Sequence, residues 1–283
     1  MVRFNIFKLS LRRTLFFATA SLLFALAIAW LNHQPGLQNF WQQYPTDSGI
    51  GTFFCEYTDM SKIVRQPINT FSNLAYLLPG IAILRRGWKD QSKRTRYNIV
   101  SANPFYSIML GCILLYIFVA STFFHSSLIG FASKLDFSAV YSLSLYPLMY
   151  FTHRVWLLSI DVPSNTKHTK STTTVITAFT VLYVLLTFGM PEGMENYVVL
   201  GIIVFIALLG LIVERYDSGR TNHLYLITGI ACIAFAVMWF GFDIYKILCV
   251  PDSYIQPHSL WHLFAGLSTF YFYMYIRSEK NKL

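Results

Sequence analysis

The chain has 283 residues, of which 55% are hydrophobic and only 12% charged, with 25 Phe and 18 Tyr. The charged share is about half that of a soluble domain, too little to cover a water-facing surface, and the aromatic content excludes disorder. A net charge of +9 raises the question of nucleic acid, but the basic residues sort by loop instead of forming one patch.

Eight stretches are apolar over roughly the 20 residues a helix needs to cross a bilayer: 14–31, 67–84, 104–124, 135–152, 172–189, 197–213, 223–240 and 258–276. Their runs are continuous, without barrel alternation, so helices are the form that satisfies the backbone in lipid. The expected fold is all-α: a polytopic seven-transmembrane-helix bundle (67–283), preceded by a basic N-terminus with one hydrophobic segment (1–31) and an exoplasmic loop region (32–66). The first segment reads either as a signal anchor or as a signal peptide, since Ala27-Ile28-Ala29 resembles a cleavage site. Pro35, Gly36, Pro45, Gly49 and Gly51 mark 32–66 as mostly loop.

Eighteen of the 22 Lys and Arg precede the first stretch or lie in 85–96, 154–170, 215–220 and 277–282, and only Lys62, Arg65, Lys134 and Lys246 lie on the other side. By the positive-inside rule the larger group is cytoplasmic, with the C-terminus. The basic surplus is thus a topology signal. Cys112 and Cys232 fall within spans as small packing residues. Cys55 and Cys249 both fall in exoplasmic loops, an oxidising compartment that allows a disulfide between them.

Ionisable groups at membrane depth are functional candidates. His125 ends 104–124, Asp136 begins 135–152, and His258 and His262 begin 258–276. The topology puts all four at one exoplasmic level. His258 and His262 are four residues apart and share a helix face, a spacing that suits a two-point metal clamp. His125 supplies a third ligand, which leaves a fourth position for water, as in catalytic zinc sites. Ser121 shares the face of His125, and Asp136 follows it by eleven residues. The bland alternative is that such histidines bind interfacial water and that Asp136 caps its helix. His33, His153, His168 and His223 lie elsewhere. Asp243 and Asp252 fall outside the spans and are expected to be solvated, and Lys134 is expected to turn outward to the headgroups.

Ser121-Thr-Phe-Phe-His125, Asp136 and His258-Ser-Leu-Trp-His262, on helices two, three and seven of a seven-helix chain, resemble the alkaline ceramidases. Their superfamily also holds progestin/adiponectin-type receptors and lipid-remodelling hydrolases. Cys55-Glu56, Asn69-Thr70-Phe71-Ser72-Asn73 and Trp261-His262 with Gly266-Leu267 strengthen the likeness, which covers about 53–278. The resemblance implies zinc on His125, His258 and His262, and conversion of ceramide to a sphingoid base and a fatty acid. It also implies a calcium site, of which Glu56 is the one remaining carboxylate: Phe53, Phe54, Tyr57, Thr58 and Gln66 stand at the other positions. Calcium needs several carboxylates, so it is not expected to bind, and Glu56 is read as capping or as pairing with Arg65 or Lys62.

The expected chemistry is hydrolysis of a membrane lipid amide. Asp136 serves as general base, and Ser121 supports the metal site or the oxyanion. The same centre would cleave a lipid ester as a phospholipase does, since amide and ester need the same electrophile and base. A non-enzymatic lipid receptor and a proton-relay transporter are the other readings. The transporter reading fails to find polar groups along a whole path.

Overall fold

The structure is a computed structural model that describes residues 11–46, 53–93, 99–159, 165–191, 193–216 and 222–279. Among these, eight helices have 20 residues or more: α1 (Leu11–Asn32), α2 (Leu74–Lys93), α3 (Phe105–Ser127), α4 (Gly130–Ser159), α5 (Asn165–Gly189), α6 (Glu195–Tyr216), α7 (His223–Ile244) and α8 (Pro257–Ser278). No strand occurs among the described residues; Thr46 and Ile129 form an isolated bridge. All eight expected apolar stretches are helical, so the all-α expectation holds. By length and composition alone, four helical segments among the described residues suffice to cross a membrane: Pro67–Ser92, Phe105–Ser127, Glu195–Tyr216 and His223–Ile244. The chain is an integral membrane protein.

Packing mostly joins sequence neighbours, with α4 on α6 and α8 on α2 as the longer-range contacts. α2 packs on α3, α3 on α4, α4 on α5 and α6, and α7 on α8; α8 then returns against α2. The shared core holds Tyr76, Ile83, Leu110, Leu114, Tyr146 and Tyr275. Close helix approaches need glycine at Gly87, Gly111 and Gly266, where an added Cβ would come under 3.0 Å from a neighbour. A Cβ on Gly111 would lie 2.8 Å from the Cβ of Leu84, and one on Gly266 would lie 2.5 Å from the carbonyl oxygen of Ala75. The approach at Gly266 draws α8 onto the start of α2.

The end of the bundle that carries His125 and His258 is covered by an ordered cap. The Asn32 side chain donates to Val64 O at 2.9 Å and accepts from Val64 N at 2.8 Å. The Trp41 indole donates to Ile63 O at 2.7 Å. A short helix, Pro67–Ser72, then leads into α2. The opposite end is tied by two buried ion pairs, Arg277 on Asp90 and Arg154 on Glu279, and by a partly exposed one, Arg86 on Asp90. Cys55 and Cys249 form a disulfide, with Cα atoms 5.5 Å apart, so the cap is covalently closed onto the loop after α7. Cys232 is buried, while Cys112 faces outward.

A candidate three-histidine metal centre

His125 lies at the end of α3, and His258 and His262 in the first two turns of α8. α8 starts sharply because Pro257 occupies its first turn and Gln256 Nε2 donates to the carbonyls of Val250, Pro251 and Ser253, which fixes the incoming loop. The three imidazoles are buried, at 0%, 5% and 3% exposure. Each offers a ligand atom within 4.8 Å of the others. Their ring centroids are 4.6–5.2 Å apart.

The hydrogen bonds set the tautomers. Gln66 Oε1 lies 2.8 Å from His125 Nδ1, while Gln66 Nε2 donates to Thr58 Oγ1. Ser72 Oγ donates its own proton to Asn69 O, so its lone pair accepts from His262 Nδ1 at 2.7 Å. Asp243 Oδ2 lies 3.2 Å from His258 Nδ1. The Nδ1 atoms of His125 and His262 therefore carry the proton, which leaves their Nε2 atoms as lone-pair donors, while His258 Nδ1 faces the Asp243 carboxylate at ion-pair distance without hydrogen-bond alignment. His125 Nε2 is buried without a partner. Ligand histidines in metal sites are held in this way, by an oxygen acceptor on the far ring nitrogen. The residues present fit a metal with three nitrogen ligands.

Phe54 closes the site from the cap, with its ring 4.4 Å from that of His258 and 5.0 Å from that of His125. On the bundle side lies a cavity of about 610 Å³, lined by Ser121, Asp136, Tyr76, His258 and His262 among others. It runs between α6 and α7, with Val199, Leu200 and Ile203 on one wall and Val237 and Phe240 on the other. Leu200 and Val237 are exposed, so the cavity reaches the outer surface of the bundle between two apolar helices. Ser121 is placed against the carboxyl of Asp136, whose Oδ1 is buried without a partner.

Several expectations change. α4 begins at Gly130, because Leu128 adopts a left-handed conformation (φ 51°) that ends α3 and turns the chain at once. Asp136 therefore sits beyond the first turn and does not cap the helix. Asp243 is fully buried in the last turn of α7 rather than solvated. Lys134 is exposed but lines the cavity beside Ser133, Glu195 and Asn196. Glu56 pairs with neither Arg65 nor Lys62. Its two carboxylate oxygens accept from the amides of Ile68 at 2.6 Å and Asn69 at 2.8 Å, which caps the Pro67–Ser72 helix. Arg65 donates instead to Ser127 O. Burial pushes the Glu56 carboxyl up to about 7, against the pull of those two amides. Gln66, Ser72 and Asp243 had not been assigned to the histidines; a signal lay in polar side chains flanking helix ends at the histidine level.

Fold and site together show an integral membrane protein with a buried three-histidine cluster suited to a metal ion, beside a cavity that reaches the bundle surface. The chain belongs to the Per1-like family, whose model matches residues 19–280. No curated protein matches it. The family finding overturns the alkaline-ceramidase resemblance, and with it ceramide and sphingolipid metabolism as the substrate and pathway. Per1-like proteins are membrane-associated, hydrolase-like enzymes that remodel the lipid of glycosylphosphatidylinositol (GPI) anchors. The misassignment has a physical root. The ligand constellation specifies a reaction centre, whereas the substrate is chosen by the cavity and cap around it.

Proposed function

We propose that this protein is a metal-dependent lipid-ester hydrolase that releases a fatty acid from a glycosylphosphatidylinositol lipid. The observation that carries the reading is the apolar cavity between α6 and α7, which brings one lipid-accessible space up to His258, His262, Ser121 and Asp136. Family membership points to this lipid class.

His125, His258 and His262 would hold the metal, and zinc suits three neutral imidazoles in a hydrolytic site. The chemistry such an ion would supply is polarisation of the ester carbonyl and a lowered pKa of water. Asp136 takes the proton of the attacking water and returns it to the departing alcohol, so that ester and water become fatty acid and lyso-lipid. Ser121 orients that carboxyl. The valine, leucine and isoleucine walls hold the acyl chain, and Phe54 keeps bulk water from the imidazoles. Lys134, exposed at the cavity lining, meets the phosphate of the lipid headgroup. The charge asymmetry of the loops supports a site on the exoplasmic side.

The test is a lipid panel on purified protein in detergent. Fatty-acid release from phosphatidylinositol or GPI lipids, absent in His258→Ala, supports the proposal. Release from lipid amides alone, or equal release by His258→Ala, overturns it.

A further inference from the structure

Asp243 and Cys55 are 188 residues apart in sequence, yet the amide of Cys55 donates to Asp243 Oδ1 at 2.7 Å. The other oxygen of the same carboxylate lies 3.2 Å from His258 Nδ1. Asp243 is fully buried and Cys55 nearly so. The carboxylate is thus hydrogen-bonded to the cap through Oδ1, and its Oδ2 faces the candidate ligand at ion-pair distance. The segment that presents the Cys55 amide is clamped to the loop after α7. The clamps are the Cys55–Cys249 disulfide, the Tyr57 amide on Pro251 O at 3.0 Å, and Lys246 Nζ on Phe53 O.

We infer that Asp243 is the positioning residue for His258 and that the Cys55–Cys249 disulfide holds it in register, so that metal affinity depends on the disulfide. The inference rests on the metal-site reading above but not on the substrate. A carboxylate on the far nitrogen does two things to a ligand imidazole. It fixes the ring plane and tautomer, and it raises the basicity of the coordinating nitrogen. His125 and His262 have neutral acceptors, Gln66 and Ser72, so among the three outer partners only Asp243 brings a charge. Opening the disulfide removes the covalent clamp to the loop after α7 and leaves the Cys55 segment joined to that loop by the Tyr57–Pro251 and Lys246–Phe53 hydrogen bonds, with Glu56 still tied to the Pro67–Ser72 helix. The bond to Oδ1 is then free to fluctuate, and the carboxylate to turn away from His258.

The experiment measures apparent zinc affinity of the full-length protein in detergent, by competition with a chromophoric chelator, and needs no turnover. Asp243→Asn is the discriminating variant. Its amide oxygen still accepts from Cys55, so the cap stays tied, but it loses the negative charge offered to His258 Nδ1. An affinity loss of about 10- to 100-fold is expected, the usual effect of removing such an outer partner. Cys55→Ser/Cys249→Ser should lower affinity in the same direction, with little added loss in the Asp243→Asn background, because both act through one carboxylate. Reduction of the wild type by a phosphine, removed before the titration, serves as the second route should the cysteine variants fold poorly. Full affinity in Asp243→Asn, or losses that simply add, would overturn the inference while leaving the three-histidine site intact. No metal binding by the wild type would overturn both.

Discussion

Gly266→Ala tests how tightly the position of α8 is coupled to the metal site. A Cβ at Gly266 would lie 2.5 Å from Ala75 O, 3.0 Å from Ala75 C and 3.2 Å from Ala75 Cβ. Ordinary contact begins near 3.4 Å, so the helices must separate by about 0.9 Å, and the obstacle is backbone that cannot rotate away. Overpacking of this kind costs about 1–3 kcal/mol. The displacement has a chemical consequence as well. His262 lies one turn before Gly266 on the same face of α8, and Ser72 lies three residues before Ala75. A shift of that size stretches the 2.7 Å contact between Ser72 Oγ and His262 Nδ1 beyond hydrogen-bond range. Gly266→Ala should therefore lower both thermal stability and zinc affinity, the latter by about tenfold. Two controls sit on α7. An added Cβ at Gly229 meets nothing closer than 3.6 Å, and one at Gly241 meets nothing within 4 Å. Alanine there should be neutral or slightly stabilising, by up to about 1 kcal/mol of helix propensity. The assays are thermal unfolding in detergent and chelator competition on the same preparations. Unchanged stability and affinity in Gly266→Ala, or equal losses in all three variants, would refute the reasoning.

Three further outcomes are expected. Asp136→Asn should reduce fatty-acid release by about 100-fold or more with zinc still bound; parallel loss of zinc would make Asp136 a ligand or a support of the ligands instead. Lys134→Glu should raise KM for phosphate-bearing lipid esters roughly fivefold, as expected of an exposed charge contact worth about 1 kcal/mol, with little change for neutral esters such as diacylglycerol; equal effects on both would remove Lys134 from headgroup recognition. Glu56 binds its proton more tightly when folded, at about 7 against the ordinary 4.5, so it costs stability as pH rises from about 4.5 through 7. Glu56→Gln should flatten that part of the pH–stability curve measured by thermal unfolding, and an unchanged slope would assign it to other groups.

The apolar stretches were legible because membrane helices must be long and continuous, and each one is helical here. His125, His258 and His262 were legible because counting spans puts them at one level, a consequence of topology that needs no contact map. Asp243 was not. Its burial depends on the Cys55 segment folding over it from 188 residues away, and by local pattern a carboxylate just past an apolar run is normally wet. Gln66 and Ser72 share that difficulty: a neutral polar side chain at a helix end has many local uses, and only the assembled cap turns these two toward imidazoles. Glu56 shows the reverse. A carboxylate inherited from a resemblance to a calcium site proves to be a double backbone acceptor, the plainer of the two roles considered for it. The family went astray for a related reason. Ser121, His125, Asp136, His258 and His262 describe how a carbonyl is to be activated, while α6, α7 and the cap, which shape the cavity, carry no short motif to read.

The most direct measurement is the metal content of purified full-length protein, taken together with fatty-acid release from phosphatidylinositol before chelation, after chelation and after zinc is restored. The account predicts one zinc per chain in the wild type, release that disappears with the metal and returns with it, and loss of both zinc and release in His262→Ala. Substoichiometric metal in an active preparation, or release that survives complete chelation, would contradict it.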